Sequence, residues 1–225
     1  MISASLISKY RQALATLGDS VQVTLANTYA DAVARGLVES EIRDLLAEAA
    51  WSATSNLGNL ASLTAADFYE AIRFTDLPGG VRFQSQLAAL PDLAEVQQQA
   101  YISARFLHDR EGPGGRIYKA DPAVFVREFS TTIERYVLDA ARNTILESGR
   151  VDQIQPRVTT VASPGACEFC KGAMDDGWLL PAHAAQQSRI FHDNCRCFTA
   201  PSWEDYPEIE GMSTLPVQRP KHNPF

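Results

Sequence analysis

The stretch from Asp121 to Gly149 most constrains what this chain can fold into. Phe125, Phe129, Ile133, Tyr136, Val137, Ala140 and Ile145 follow one face of an α-helix, whereas a strand would scatter them over two faces. Asp121 offers an acceptor for the first helical amides, Pro122 suits the first turn, and Gly149 predicts the stop. The same periodicity fills the chain upstream. Leu6, Ile7, Tyr10, Ala13, Leu14 and Leu17 form one helical stripe, and Gly18 and Asp19 are expected to interrupt it. Val21, Leu25, Tyr29 and Val33 continue to a stop at Gly36. Ser40 is expected to cap the segment carrying Ile42, Leu45, Leu46, Ala49 and Ala50. "TAAD" at Thr64–Asp67 has the form of a capping box opening a further helix. "LPGG" at Leu77–Gly80 breaks the chain, another helix is expected from about Pro91 to about Leu107, and "REGPGGRIYKADP" reads as a loop.

Past Gly149 the character changes. "RVTTVAS" is β-branched and alternating, which predicts a short strand, and a second is expected around Cys197–Thr199. After Trp203 the acidic "EDYPEIEG" and the proline-bearing "TLPVQRPKHNPF" read as an extended tail. No solenoid-length repeat or sustained heptad occurs. The expected architecture is mainly α. A helical body spans 1–150, a small α+β cysteine-rich, zinc-knuckle-like module spans 151–204, and a tail spans 205–225.

Every cysteine of the chain lies between residues 167 and 197. Cys167 and Cys170 form one C-x-x-C pair, and His192, Cys195 and Cys197 gather about twenty residues later. Two cysteines so spaced can turn both sulfurs toward one ion, and tetrahedral zinc needs four such ligands. Five candidates therefore exceed the requirement by one, and spacing leaves open which four bind a structural zinc. Two disulfides, or thiols packed without a ligand, remain alternatives. A thiol enzyme using Cys167 or Cys197 would need a base such as His108 or His183, and nothing in the sequence marks either. The C-x-x-C does not open a helix in a βαβ unit, as a thioredoxin-like centre would. P-loop, dinucleotide-binding and H-E-x-x-H motifs do not occur. "GPGG" at Gly112–Gly115 opens no helix and reads as a flexible turn, and Asp175 and Asp176 read as solvated turn residues.

The net charge of -7 argues against a general nucleic-acid binder, although a zinc-dependent nucleic-acid-binding module is kept as an alternative with Arg189 and Arg196 as its basic residues. The N-terminal "MISASLISKYRQALATLGDS" lacks the pattern of a secretory signal, and no window approaches the eighteen or so apolar residues of a membrane span. Synthesis in a reducing cytoplasm favours metal over disulfides at the cysteines.

"RVTTVASPGACEFC…FHDNCRCFTAPSW" resembles the C-terminal motif of phage minor capsid proteins of the MuF-like, head-morphogenesis family, and more closely the group from actinobacterial phages. Arg157, Ala166, Cys167, Cys170, Phe191, His192, Cys195 and Cys197 fall in that family's order, and "LISKYRQALATLGDSV" is similar to its opening helix. The specific match covers Arg157 to Trp203. The resemblance implies a structural head protein rather than an enzyme. It implies association with the portal protein or the major capsid protein, several copies per virion, packaged DNA nearby without sequence-specific binding, and no membrane. Residence would be the phage head, after assembly in the host cytoplasm. The loop at 171–190 departs from many members in lacking a second metal motif.

Overall fold

The computed structural model describes residues 3–80, 82–164, 166, 168, 179–181 and 195–204. Four α-helices dominate it: α1 (Ala4–Ala34), α2 (Glu39–Asp76), α3 (Leu93–Ser103) and α4 (Pro122–Val151). Two small antiparallel ribbons accompany them, β1 (Arg110–Glu111) with β2 (Ile117–Tyr118), and β3 (Arg157–Val161) with β4 (Phe198–Ser202). The described chain is thus mainly helical with two-stranded sheets, as the periodicity requires. Among the described residues, no helix is long and apolar enough to cross a membrane.

The expected interruption of the first helix at Gly18 and Asp19 does not occur. α1 runs through both, with Ile7, Tyr10, Leu14, Gly18, Val21 and Leu25 on one buried stripe. A Cβ at Gly18 would lie 2.7 Å from Oε1 of Glu134 on α4, so the glycine admits a neighbour rather than ending the helix. One interior glycine costs about 1 kcal/mol of helix propensity, less than the packing of a continuous stripe returns. Gly36 does end the helix: it adopts φ 69° and donates to the Val33 carbonyl, while Leu37 donates to the Ala32 carbonyl.

α2 begins at Glu39, so Ser40 lies inside it rather than capping it. The Glu41 carboxylate accepts from the Val38 amide at 2.9 Å. The expected helix start at Thr64 is also absent, because the Thr64 hydroxyl donates back to the Leu60 carbonyl at 2.7 Å and α2 continues. Ala50, Thr54, Gly58, Ala61, Ser62 and Ala65 give α2 a small-residue face. Ser62 reaches the Ala140 carbonyl of α4, which records how closely the two helices pass. Asp92 caps α3 through the Glu95 amide at 2.9 Å, and a 3-10 turn at Ala104–Phe106 completes the expected helix. Asp121 caps α4 through the Val124 amide at 3.1 Å. α4 ends at Val151 rather than at Gly149, which instead lies against Pro181, with a Cβ there only 2.9 Å from that ring.

The glycine-rich stretch expected as a loop is the β1–β2 ribbon, turned by Gly114 and Gly115 at positive φ. Between α2 and α3 an extended strap of residues 82–92 runs along both α2 and α4. Its amides at Gln86 and Ala88 donate to the Ser148 and Thr144 hydroxyls, and that at Ser85 donates to the Glu70 carboxylate. Leu90 of the strap sits over Gly58, where a Cβ would come within 2.9 Å of it.

The β3–β4 ribbon shares its core with the helices. Tyr10 of α1 stacks on Phe68 of α2 at 4.0 Å between ring centroids, and Phe198 of β4 meets both rings edge-on at 5.2 and 6.2 Å. Val158 of β3 exchanges two 2.8 Å backbone hydrogen bonds with Leu179 on the ribbon's other edge. The two expected strands are thus present, with β4 starting one residue after Cys197 and extending to Ser202.

Candidate metal centre

Cys195 and Cys197 lie in the segment leading into β4 and are 5% and 2% exposed. Both pack against Ala162 and Ala166, which follow β3. The Ala166 amide donates to the Ser163 carbonyl, closing a turn, and the Ser163 amide points at Cys197 Sγ from 3.5 Å. The Ser163 hydroxyl lies 3.8 Å from the same sulfur. Ala166 immediately precedes Cys167 in sequence. Cys167, Cys170 and His192 themselves fall outside the described residues.

The backbone of this segment is held from the helical side by one buried cation. Arg142 of α4 is 1% exposed. Its Nε and Nη2 donate to the Cys197 carbonyl at 2.9 and 2.7 Å, and Nη2 also donates to the Cys195 carbonyl at 2.5 Å. Nη1 donates to Asp139 Oδ1 at 2.6 Å, so the guanidinium is charge-balanced while two of its edges grip the main chain. The side chain between the cysteines is fixed separately. Arg196 Nε donates to Glu134 Oε1 and its Nη2 to Asp19 Oδ1, both at 2.7 Å. Burial opposes the Arg196 charge, but the hydrogen bonds to Glu134 and Asp19 outweigh it and raise its pKa. Gln22 donates to the other Glu134 oxygen at 2.7 Å, which completes a bridge from α1 through α4 to this segment.

Two buried cysteines packed against the same alanines, one with its sulfur facing an amide N–H, suit a soft ion that binds thiolate. Among the described residues no group of three or more metal-ligating side chains gathers, so Cys195 and Cys197 would form half a site. The other candidates would complete it, with Zn lending structural crosslinking chemistry when bound. His108, considered as a possible base for thiol chemistry, is exposed, and His183 lies outside the described residues.

Sequence reasoning missed the residues that hold this segment. Glu134 and Arg142 are buried on α4 at four-residue steps either side of Leu138. A charged residue on an apolar helical stripe was the available signal, because a buried charge requires a partner. A second such cluster closes the far end of α4. Asp152, whose side chain is wholly buried, accepts from Arg73 Nε at 2.7 Å, from Arg73 Nη2 at 3.2 Å and from the Tyr69 hydroxyl at 3.1 Å. The Asp152 hydrogen bond raises the Arg73 pKa, against the cost of burial, and burial followed by the Asp152 charge raises that of Tyr69. This cluster fixes the chain where it leaves α4.

The family model described as VG15 protein matches residues 1–215, and the chain belongs to that family, which is one of viral (phage) proteins. No curated protein matches the chain, and no solved structure does.

Proposed function

We propose that this phage protein is a minor structural component of the head, acting during assembly at the portal or the inner capsid shell. The observation that carries this reading is the family match over residues 1–215, taken with the MuF-like order of Arg157, Ala166, Cys167, Cys170, His192, Cys195 and Cys197. Supporting it, the described cysteines are buried and immobilised by Arg142 and Arg196, an arrangement suited to a scaffold rather than to a reactive thiol. The helical body would present the docking surface. A structural zinc on four of the five ligands would fix the C-terminal segment, and structural zinc contributes on the order of 10 kcal/mol or more in small peptides. The nucleic-acid-binding alternative has less support, because Arg196 is taken up by Glu134 and Asp19.

Mass spectrometry of purified, nuclease-treated virions tests the assignment. The protein is expected in the particle at several copies, and deleting its gene is expected to impair head assembly. Absence from virions together with normal heads in the deletion would overturn the proposal. Metal analysis of protein purified under reducing conditions tests the site separately, with one zinc per chain expected. Four titratable thiols and no zinc would remove the metal and leave the capsid role standing.

A further inference from the structure

We infer that Arg142 is the positioning residue of the cysteine site: it aims the Cys195 and Cys197 sulfurs by gripping their carbonyls, and so makes metal affinity a property of helix α4. This rests on the proposed metal reading, and it goes beyond that reading by naming a residue that is not a ligand. The argument is geometric. Cys195 and Cys197 sit either side of Arg196, whose side chain is pulled to Glu134 and Asp19 while both cysteines pack against Ala162 and Ala166. The segment can hold that arrangement only if its two carbonyls stay in register. A single planar guanidinium spans both of them, at 2.5 Å to Cys195 and at 2.7 and 2.9 Å to Cys197. A lysine in its place has the charge but not the fork, so it could satisfy one carbonyl well and not both.

The cation is itself held. Asp139 takes Nη1 at 2.6 Å, and the burial of the group leaves water no access to compete for the carbonyls. The half-site is therefore organised before any ion arrives, with its ordering cost met when α4 docks rather than when metal binds. Groups that orient ligands without touching the metal commonly govern affinity by about 10- to 100-fold.

The test uses the full chain, with Arg142→Gln, Arg142→Lys and Arg73→Lys compared with the parent protein. Zinc affinity is read by competition with a chromogenic chelator, and site geometry by the thiolate and d–d absorption of bound Co(II). Arg142→Gln should weaken zinc by about 10- to 100-fold, and Arg142→Lys by less. Arg73→Lys, which disturbs the buried pair with Asp152, should lower thermal stability yet leave zinc affinity unchanged. A second readout does not need metal: in the reduced apoprotein, Cys195 and Cys197 of Arg142→Gln should react with a thiol reagent about tenfold faster or more, as expected for loss of charge-assisted hydrogen bonds. If Arg142→Gln does not fold, Asp139→Asn replaces it, with the same directions and smaller sizes.

Unchanged zinc affinity and unchanged labelling in a folded Arg142 variant would overturn the inference while leaving the metal reading intact. Equal loss of affinity in Arg73→Lys would also overturn it, since general destabilisation would then suffice. A parent protein that takes up no zinc would sink the metal reading alone. Labelling would then decide whether Arg142 positions the thiols.

Discussion

Arg73 and Arg142 are both buried guanidiniums on long helices, and both secure the chain beyond α4, yet they do so by different chemistry. Arg73 meets a wholly buried carboxylate through two of its nitrogens, and the Tyr69 hydroxyl and the Ile154 amide use the remaining lone pairs of Asp152. Among the described residues, Arg142 meets a partly exposed carboxylate through Nη1 and directs Nε and Nη2 at main-chain carbonyls. The first arrangement is a buried ion pair that ties α2 to the chain where it leaves α4. The second fixes the geometry of whatever side chains that main chain carries, which here are two cysteines. Burial of an arginine is thus a poor guide to its role, and the identity of its acceptors is a better one.

The largest effect expected on this contrast comes from breaking the buried pair. Asp152→Ala removes the buried carboxylate that pairs with Arg73 and should cost about 3–5 kcal/mol in urea-induced unfolding. A loss under about 1 kcal/mol would show that Arg73 does not depend on Asp152 for its charge balance, and the contrast with Arg142 would fail. Gly18→Ala acts at the other end, on the Glu134 bridge to Arg196. Alone it should cost about 1 kcal/mol, because steric crowding of a pinned carboxylate exceeds the gain in helix propensity. In a Glu134→Ala background the same substitution should become neutral or stabilising, and a cost that persists there would place the strain elsewhere.

Titration separates buried from exposed groups in the same way. Burial, and then Glu95, push Tyr136 up to about 12, and burial raises Tyr10 and Tyr69 as well. These folded-state values exceed the unfolded value near 10, so the tyrosines contribute stability that is complete below pH 10 and declines above it. For Tyr136 the decline should be spread between pH 10 and about 12, observed as phenolate absorbance lagging behind that of an unfolded control. The smallest effect belongs to Asp109, exposed just before β1, where the Lys119 ammonium and the Ala120 amide lower its pKa. Its contribution is present above the ordinary value of 3.8 and is lost as pH falls through the lowered one. Amide protection factors in the ribbon, which are corrected for the intrinsic pH dependence of exchange, should fall below pH 3.8 while those in α4 do not.

What could be read from the sequence follows from how local each signal is. The cap at Asp121, the stop at Gly36 and the stripe of α4 depend on neighbours within a few residues, and the structure has all three. Gly18 and Thr64 carried the same local signals and misled. A glycine that admits Glu134 is spelled like a glycine that ends a helix, and a threonine bonded back to Leu60 is spelled like one that starts a helix. Cys195 and Cys197 could be picked out by spacing as candidate ligands. Their anchor could not, because Arg142 binds carbonyls 53 and 55 residues away. A carbonyl is contributed by every residue type, so no letter in the sequence identifies it as a partner.

The strap at residues 82–92 imposes an order of assembly. On its α2 side the bonds are near in sequence, with Ser85 reaching Glu70 and Ala66 only 15 and 19 residues back. On its α4 side Gln86 and Ala88 wait for Ser148 and Thr144, 62 and 56 residues ahead. Closing loops of that length is slower than closing the short ones, so the strap can lie on α2 early but is captured only when α4 arrives. During synthesis on the ribosome it would therefore be half-bonded until residue 148 had emerged, and the docking of α4 would seat the strap and bring Arg142 into the core in one event.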